Sequence, residues 1–350
     1  MKYLPFSLKI SSMQKLFLIN FEKDPDEIYH GFEPQLFFNS SYGSGLRIIA
    51  WRKDGYVDVY QQPELPKDDD FNVAAKGLGE LIIHSMPGAR FNVSEKGVDV
   101  YFAFVDKRGR NVEVEIVERN ARPNRPFTLL APVGSSSENP TYFPLYLMNR
   151  FDFVRRSHTD VKISIDGRLH KPDTFPFPMN GSRVYFMRYS ADTFLIDWCP
   201  AYNGPLKPYS PESPVDISAN ISESDAQIIS VRAEREGQCV SVDFAPPFPD
   251  ITGLEDHTAL EGQFIIKANE EAAGKISGTY HVSREDEEIH IKMHPSGGWE
   301  PKPDTLFLKF FYKAVSMFRN WPKTYQWKAM IKLCPGTDPY MKSKWERIKL

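Results

Sequence analysis

The feature that most constrains this chain is a ladder of short apolar runs separated by glycine-bearing turns. Residues 46–60 read as strand, Asp54-Gly55, strand. Asp-Gly supplies the positive φ angles that a tight hairpin requires. The unit recurs. Asn92-Val93-Ser94 leads through Lys96-Gly97 into residues 98–104, which turn at Arg108-Gly109 into Val112-Glu113-Val114-Glu115-Ile116. That last run alternates strictly, so one of its faces is wet and the other dry. Residues 161–165 turn at Asp166-Gly167 and return through Arg168 to Lys171. Asn180-Gly181 opens residues 183–189, and 193–198 follow. Further on, residues 228–233, 239–244, 262–267, 275–282 and 288–293 read as five more strands. Residues 305–318, free of Gly and Pro and stopped at Trp321-Pro322, read as the one helix.

A chain of 350 residues carries a prior of two domains. The stretch from Asn203 to Pro214 has four prolines and almost no apolar pattern, which places the boundary there. The expected domains are residues 1–203 and 214–350, with Pro132 to Pro144 as the second choice of boundary. Aromatics at 13% and 28 prolines suit sheets and the loops between them.

A net charge of −3 provides no global field toward nucleic acid or anionic membrane. The C-terminal end differs. From Lys313 onward nine Lys and Arg face only Asp338 and Glu346, with Trp321, Tyr325, Trp327 and Trp345 interleaved. Such a run is read either as a phosphate or membrane-surface patch or as a solvated face whose aromatics point to the core. The second reading is preferred, because no nucleic-acid motif accompanies the charges. Cys199, Cys239 and Cys334 are few and far apart, which suggests a reducing, cytoplasmic setting. Lys9 and Lys15 interrupt the N-terminal apolar runs, so no signal peptide is expected. No uncharged apolar run approaches about 18 residues, so no transmembrane segment is expected.

Motifs for nucleotide, zinc-protease and α/β-hydrolase chemistry are missing. Gly77-Leu78-Gly79 begins a G-x-G, but Ile82 stands where the third glycine belongs. No cofactor and no metal site are expected. His290, Lys292 and His294 share a strand face, with His281 one hairpin away. Two histidines four residues apart on a strand lie about 13 Å apart, too far for one metal unless the strand ends and bends at Pro295. Ser157-His158-Thr159-Asp160 holds triad residue types, but adjacency in sequence is not triad geometry.

The first hairpin carries the candidate site. Tyr56, Asp58 and Tyr60 alternate along one strand, and Ile49, Trp51 and Lys53 along its partner. A two-residue loop sets Trp51 opposite Asp58; a three-residue bulged loop sets it opposite Val57 and flips the pairing. In the first register a carboxylate is ringed by aromatics, surroundings that raise a carboxyl pKa and make a general acid or base. Asp197, between Leu195 and Cys199, poses the same question. Asp58 and Asp197 are thus the candidate catalytic groups. Trp51, Tyr56, Tyr60, Tyr185 and Tyr189 are the candidate ligand-binding groups.

The hairpin Lys162-Ile163-Ser164-Ile165-Asp166-Gly167-Arg168-Leu169-His170, together with the strand ladder and late helix, resembles the two-domain lipocalin-like proteins. These include carotenoid 1,2-hydratases and lipocalin-like Diels–Alderases, in which a similar hairpin opens with an Ile-Asp-Gly turn. The resemblance implies an all-β fold: two antiparallel β-barrel domains, one or both with an apolar cavity, and a short C-terminal helix. After that hairpin the family places an acidic residue, then His or Glu, then Trp-Gly. Here Tyr185-Phe186-Met187-Arg188-Tyr189 stands instead, so no catalytic residue is carried over. The expected function is binding of an apolar or amphipathic small molecule, or a lipid, in a barrel cavity. In its enzymatic form this is a cofactor-free hydratase, lyase or isomerase. The alternatives are a carbohydrate-binding β-sandwich with exposed aromatic platforms and an interaction module without a pocket.

Overall fold

The computed structural model describes residues 2–10, 13–39, 43–66, 77–132, 143–210, 217–222, 226–235, 237–269, 271–314, 316–334 and 336–349. The chain is mostly β, with 62% strand and 6% helix. The first strands are β1 (Leu8–Ile10), β2 (Met13–Asn20), β3 (Tyr29–Asn39), β4 (Gly43–Arg52), β5 (Val57–Gln61), β6 (Leu78–Ile83), β7 (Arg90–Ser94) and β8 (Gly97–Val105). Then come β9 (Asn111–Glu118), β10 (Phe127–Pro132), β11 (Phe143–Arg155), β12 (Thr159–Ile165), β13 (Arg168–Leu169), β14 (Val184–Trp198) and β15 (Tyr202–Pro205). The last are β16 (Ile217–Ile221), β17 (Ile228–Arg235), β18 (Gln238–Phe248), β19 (Ala259–Ala268), β20 (Lys275–Glu285), β21 (Glu288–Glu300), β22 (Tyr325–Lys332) and β23 (Tyr340–Arg347). Helices α1 (Leu306–Ala314) and α2 (Ser316–Asn320) lie where the sequence predicts one helix.

Two compact units share the chain. One holds Ser12–Thr128 and Met148–Phe194; the other holds Met1–Ser11, Leu129–Leu147 and Leu195–Leu350. Each unit therefore draws on separated runs of chain, whereas the sequence reading cuts once at 203–214. Of that stretch, residues 211–214 lie outside the described residues, as do 133–142 of the alternative boundary.

The first unit is a sandwich. One of its layers runs β11-β14-β2-β3-β4-β5-β6; the other is β13-β12-β9-β8-β7. Alternation explains the core between them. On β9 Val112, Val114 and Ile116 turn inward, and they meet Phe17, Phe32, Ile48 and Tyr60 of the facing layer. All these side chains are buried, each contributing about 1.5–3 kcal/mol of transfer free energy.

The second unit is a curled half-barrel, an antiparallel sheet in the order β15-β23-β22-β21-β20-β19-β18-β17-β16. Its edge strands β15 and β16 do not pair with each other among the described residues, so the sheet stays open. The all-β class with a short late helix is present; two closed barrels are not among the described residues. The inner face is filled. Phe6 packs on Trp198, Phe244, Phe248 and Trp327, and Phe143 stacks on Trp321 and Trp345. Gly278 permits part of this packing, since a Cβ there would come within 2.5 Å of the Phe264 ring. The register shifts beside it, between Ser277 and Thr279, which bends the sheet. Among the described residues no helix is long and apolar enough to cross a membrane.

Candidate functional site

The register of the first hairpin decides which groups meet. Trp51 pairs with Val57 and Ala50 with Asp58. Arg52 N–H donates to Tyr56 O, closing a three-residue loop with Gly55 at φ 85°. Asp54 holds that loop by accepting from the Tyr56 N–H at 3.1 Å and from Arg52 Nε at 3.1 Å. This is the bulged register, so the arrangement with Trp51 opposite Asp58 does not occur. Trp51 packs with Ile49, Val57 and Val59 on one face of the sheet. Ile48, Ala50 and Tyr60 lie on the other, in the sandwich core. Tyr56 is half exposed under the Arg52 guanidinium, 5.8 Å from its ring centre.

Asp58 is fully buried, and its oxygens are occupied. Oδ1 accepts from Lys107 Nζ at 2.8 Å and Arg52 Nη1 at 3.2 Å, and Oδ2 accepts from Tyr29 OH at 3.2 Å. Tyr29 has one hydroxyl proton and donates it in the hydrogen bond to Asp58, so the 2.9 Å bond between the two phenols is donated by Tyr60. Tyr60 in turn accepts from the Lys107 N–H at 3.2 Å. Burial raises both phenols, Tyr60 to about 12. Next to them Arg110 donates to Asp26 at 3.0 Å and to Asp106 at 2.9 Å. Burial pushes the Asp26 carboxyl up, but its hydrogen bonds from Arg110 and backbone amides outweigh this and leave it lowered. Gly79 lets β6 come close, because a Cβ there would collide with the Asp58 carboxylate. Buried Asp58, Asp26 and Asp106, with the more exposed Asp54 and Glu80, thus pair with Arg52, Lys107 and Arg110 and tie β5 to the β8–β9 turn.

The other predicted groups are not gathered around Asp58. Asp197 belongs to the half-barrel unit, where it pairs with Lys9 across β1 and β14. Tyr189 is buried in the sandwich, its hydroxyl accepting from Asn124 Nδ2 at 2.6 Å. Tyr185 packs half-buried against the same core.

A second buried cluster escaped the sequence reading. Glu118 Oε1 accepts from Asn120 Nδ2 at 2.7 Å and from the Arg155 N–H at 2.9 Å. Oε2 is buried with no donor among the described residues. Asp152 shares the Arg155 guanidinium at 3.3 Å. Burial raises the carboxyl pKa of both Glu118 and Asp152, and Arg155 only partly offsets it. The signal was available: Glu118 continues the inward parity of Val112, Val114 and Ile116.

An open groove of about 610 Å³ lies on the outer face of the half-barrel sheet. Cross-strand register builds it. Lys292 of β21 is opposite Lys328 of β22, which is opposite Lys344 of β23. One step along, His290, Met330, Lys342 and Asn203 form the next rung. Directly opposite residues have Cα atoms about 4.5–5.5 Å apart. Like charges at that spacing repel, and the repulsion is destabilising. Lys328 pairs with Glu346. Lys292, Lys342 and Lys344 have no ion-pair partner among the described residues. Met330 and Tyr202 supply exposed apolar lining. The interleaved aromatics Trp321, Tyr325, Trp327 and Trp345 all point to the core.

Asp256, His257 and Asp286 also bring ligand atoms together, but all three are exposed, and Asp256 Oδ1 already accepts from the His257 and Asp286 amides. No family model, no curated protein and no solved structure matches this chain.

Proposed function

We propose that the protein binds an amphipathic small molecule with an anionic head in the groove on the outer face of its half-barrel sheet. The carrying observation is the rung Lys292-Lys328-Lys344, three ammonium groups side by side with one carboxylate between them. An anion seated across the rung offsets the repulsion and gains charge-assisted hydrogen bonds. The exposed apolar surface of Met330 and Tyr202 would receive the rest of the molecule. The site expected inside a barrel is thereby moved to an outer face, since aromatic side chains occupy the inner one. The curled sheet, in which the eight strands β16 to β23 form a meander, is what supports a lipocalin-like kinship. The carbohydrate reading has less support, because five of the six tryptophans are buried and form no outer strip.

The test is isothermal titration with dodecanoate and dodecyl phosphate. Saturable binding that weakens with added salt is expected. Changing Lys292, Lys328 and Lys344 together to Gln is expected to weaken it at least about tenfold. Absence of binding, or binding unchanged in the triple variant, overturns the proposal.

A further inference from the structure

The outward face of α1 is the reverse of what a surface helix usually shows. Leu306 is 86% exposed and Phe310 71%, the two most exposed of the large apolar side chains described. They stand four residues apart, one turn, and so share one stripe of the helix. Leu308, Phe311 and Tyr312 take the opposite stripe and are buried, so the helix is already anchored to its own unit. The exposed pair is therefore not a misplaced core face.

Charge accompanies this stripe. Lys309 and Lys313 flank it along one side, at about 100° of rotation per residue. Arg319 of α2 joins them at the rim of a cleft of about 290 Å³ floored by Trp299, Tyr312 and Phe318. Lys309, Lys313 and Arg319 are exposed and have no ion-pair partner among the described residues. Between residues 302 and 323 the sequence holds five Lys and Arg against the single acid Asp304. An apolar stripe edged by unpaired cations complements an anionic lipid interface, where apolar side chains enter the acyl boundary and cations meet phosphates.

We propose that α1 seats this protein on an anionic phospholipid bilayer, with Leu306 and Phe310 entering the acyl boundary and Lys309, Lys313 and Arg319 on the headgroups. This interaction is peripheral and does not rest on the lysine rung or its ligand. Because both apolar side chains are exposed, replacing them leaves the core intact.

The experiment is co-sedimentation of the full chain with vesicles of phosphatidylcholine alone or with about one third phosphatidylserine. The wild type is expected to bind the mixed vesicles at least about tenfold more tightly than the neutral ones. The L306S/F310S and K309E/K313E variants, with unchanged thermal unfolding, are expected to lose that binding. Equal binding to both vesicle types overturns the proposal, as does binding that survives in L306S/F310S. A concentration-dependent dimer that L306S/F310S abolishes assigns the stripe to a second copy and equally overturns it.

Discussion

In the sandwich unit Asp58, Asp26 and Asp106 face Arg52, Lys107 and Arg110. On the half-barrel sheet Lys292, Lys328 and Lys344 stand side by side with Glu346 opposing one of them. The first cluster is complete: every charge has a partner, every phenol a donor or acceptor, and no group is left for a substrate. The second is incomplete and open to solvent. A neutralised cluster at the end of a sandwich does structural work, whereas one that keeps its repulsion is suited to an external counter-charge.

The comparison breaks first at Asp58. Removing the Asp58 carboxylate takes a buried acceptor from Arg52, Lys107 and Tyr29, although Arg52 keeps Asp54 and Lys107 stands 3.7 Å from Glu80. Arg52 and Lys107 are 20% and 17% exposed, so water offsets part of the loss. D58A is expected to destabilise the protein by about 3 kcal/mol in chemical denaturation. A variant that folds with full stability would dismiss the network as a structural element.

Ligand binding at the rung comes next. The tenfold weakening expected of the triple Gln variant corresponds to about 1.4 kcal/mol in titration with dodecyl phosphate. A smaller effect is expected at Glu118. Burial raises its carboxyl pKa above 4.5, as it raises that of Asp152 above 3.8. Such a group contributes stability that is fully present below its unfolded pKa and lost as pH rises through the folded one. E118Q is expected to flatten that loss. The readout is the difference between wild-type and variant denaturation midpoints across pH, which cancels the opposite contribution of lowered carboxyls such as Asp26. A difference independent of pH would show that Glu118 does not titrate in this range. The smallest effect concerns the rung without ligand. K344Q relieves one like-charge neighbour and is expected to stabilise the protein by about 0.5 kcal/mol, lost again on adding salt.

Much of the fold was legible where the signal is local. The run from Val112 to Ile116 declared its two faces, and Asp166-Gly167 forms the tight turn expected, with both residues at positive φ. The N-terminal strands β2 and β3 were missed, because their apolar residues are less strictly alternating. The strands read separately at 183–189 and 193–198 form one strand, β14. In the C-terminal basic run the reading that sends the aromatics to the core agrees with their burial, and the lysines between them occupy the other face.

Alternation by itself determined which residues of a strand share a face, because successive side chains point to opposite sides of a pleated chain. Asp-Gly determined that the chain turns. It did not determine how: Asp166-Gly167 closes a two-residue loop, while Asp54-Gly55 sits in a three-residue one, and that single residue moves Trp51 away from Asp58. Only the tertiary structure decided this, and only it brought Lys292, Lys328 and Lys344 into one rung. Backbone hydrogen bonds form equally well at many registers, so the choice falls to the core that each face must bury.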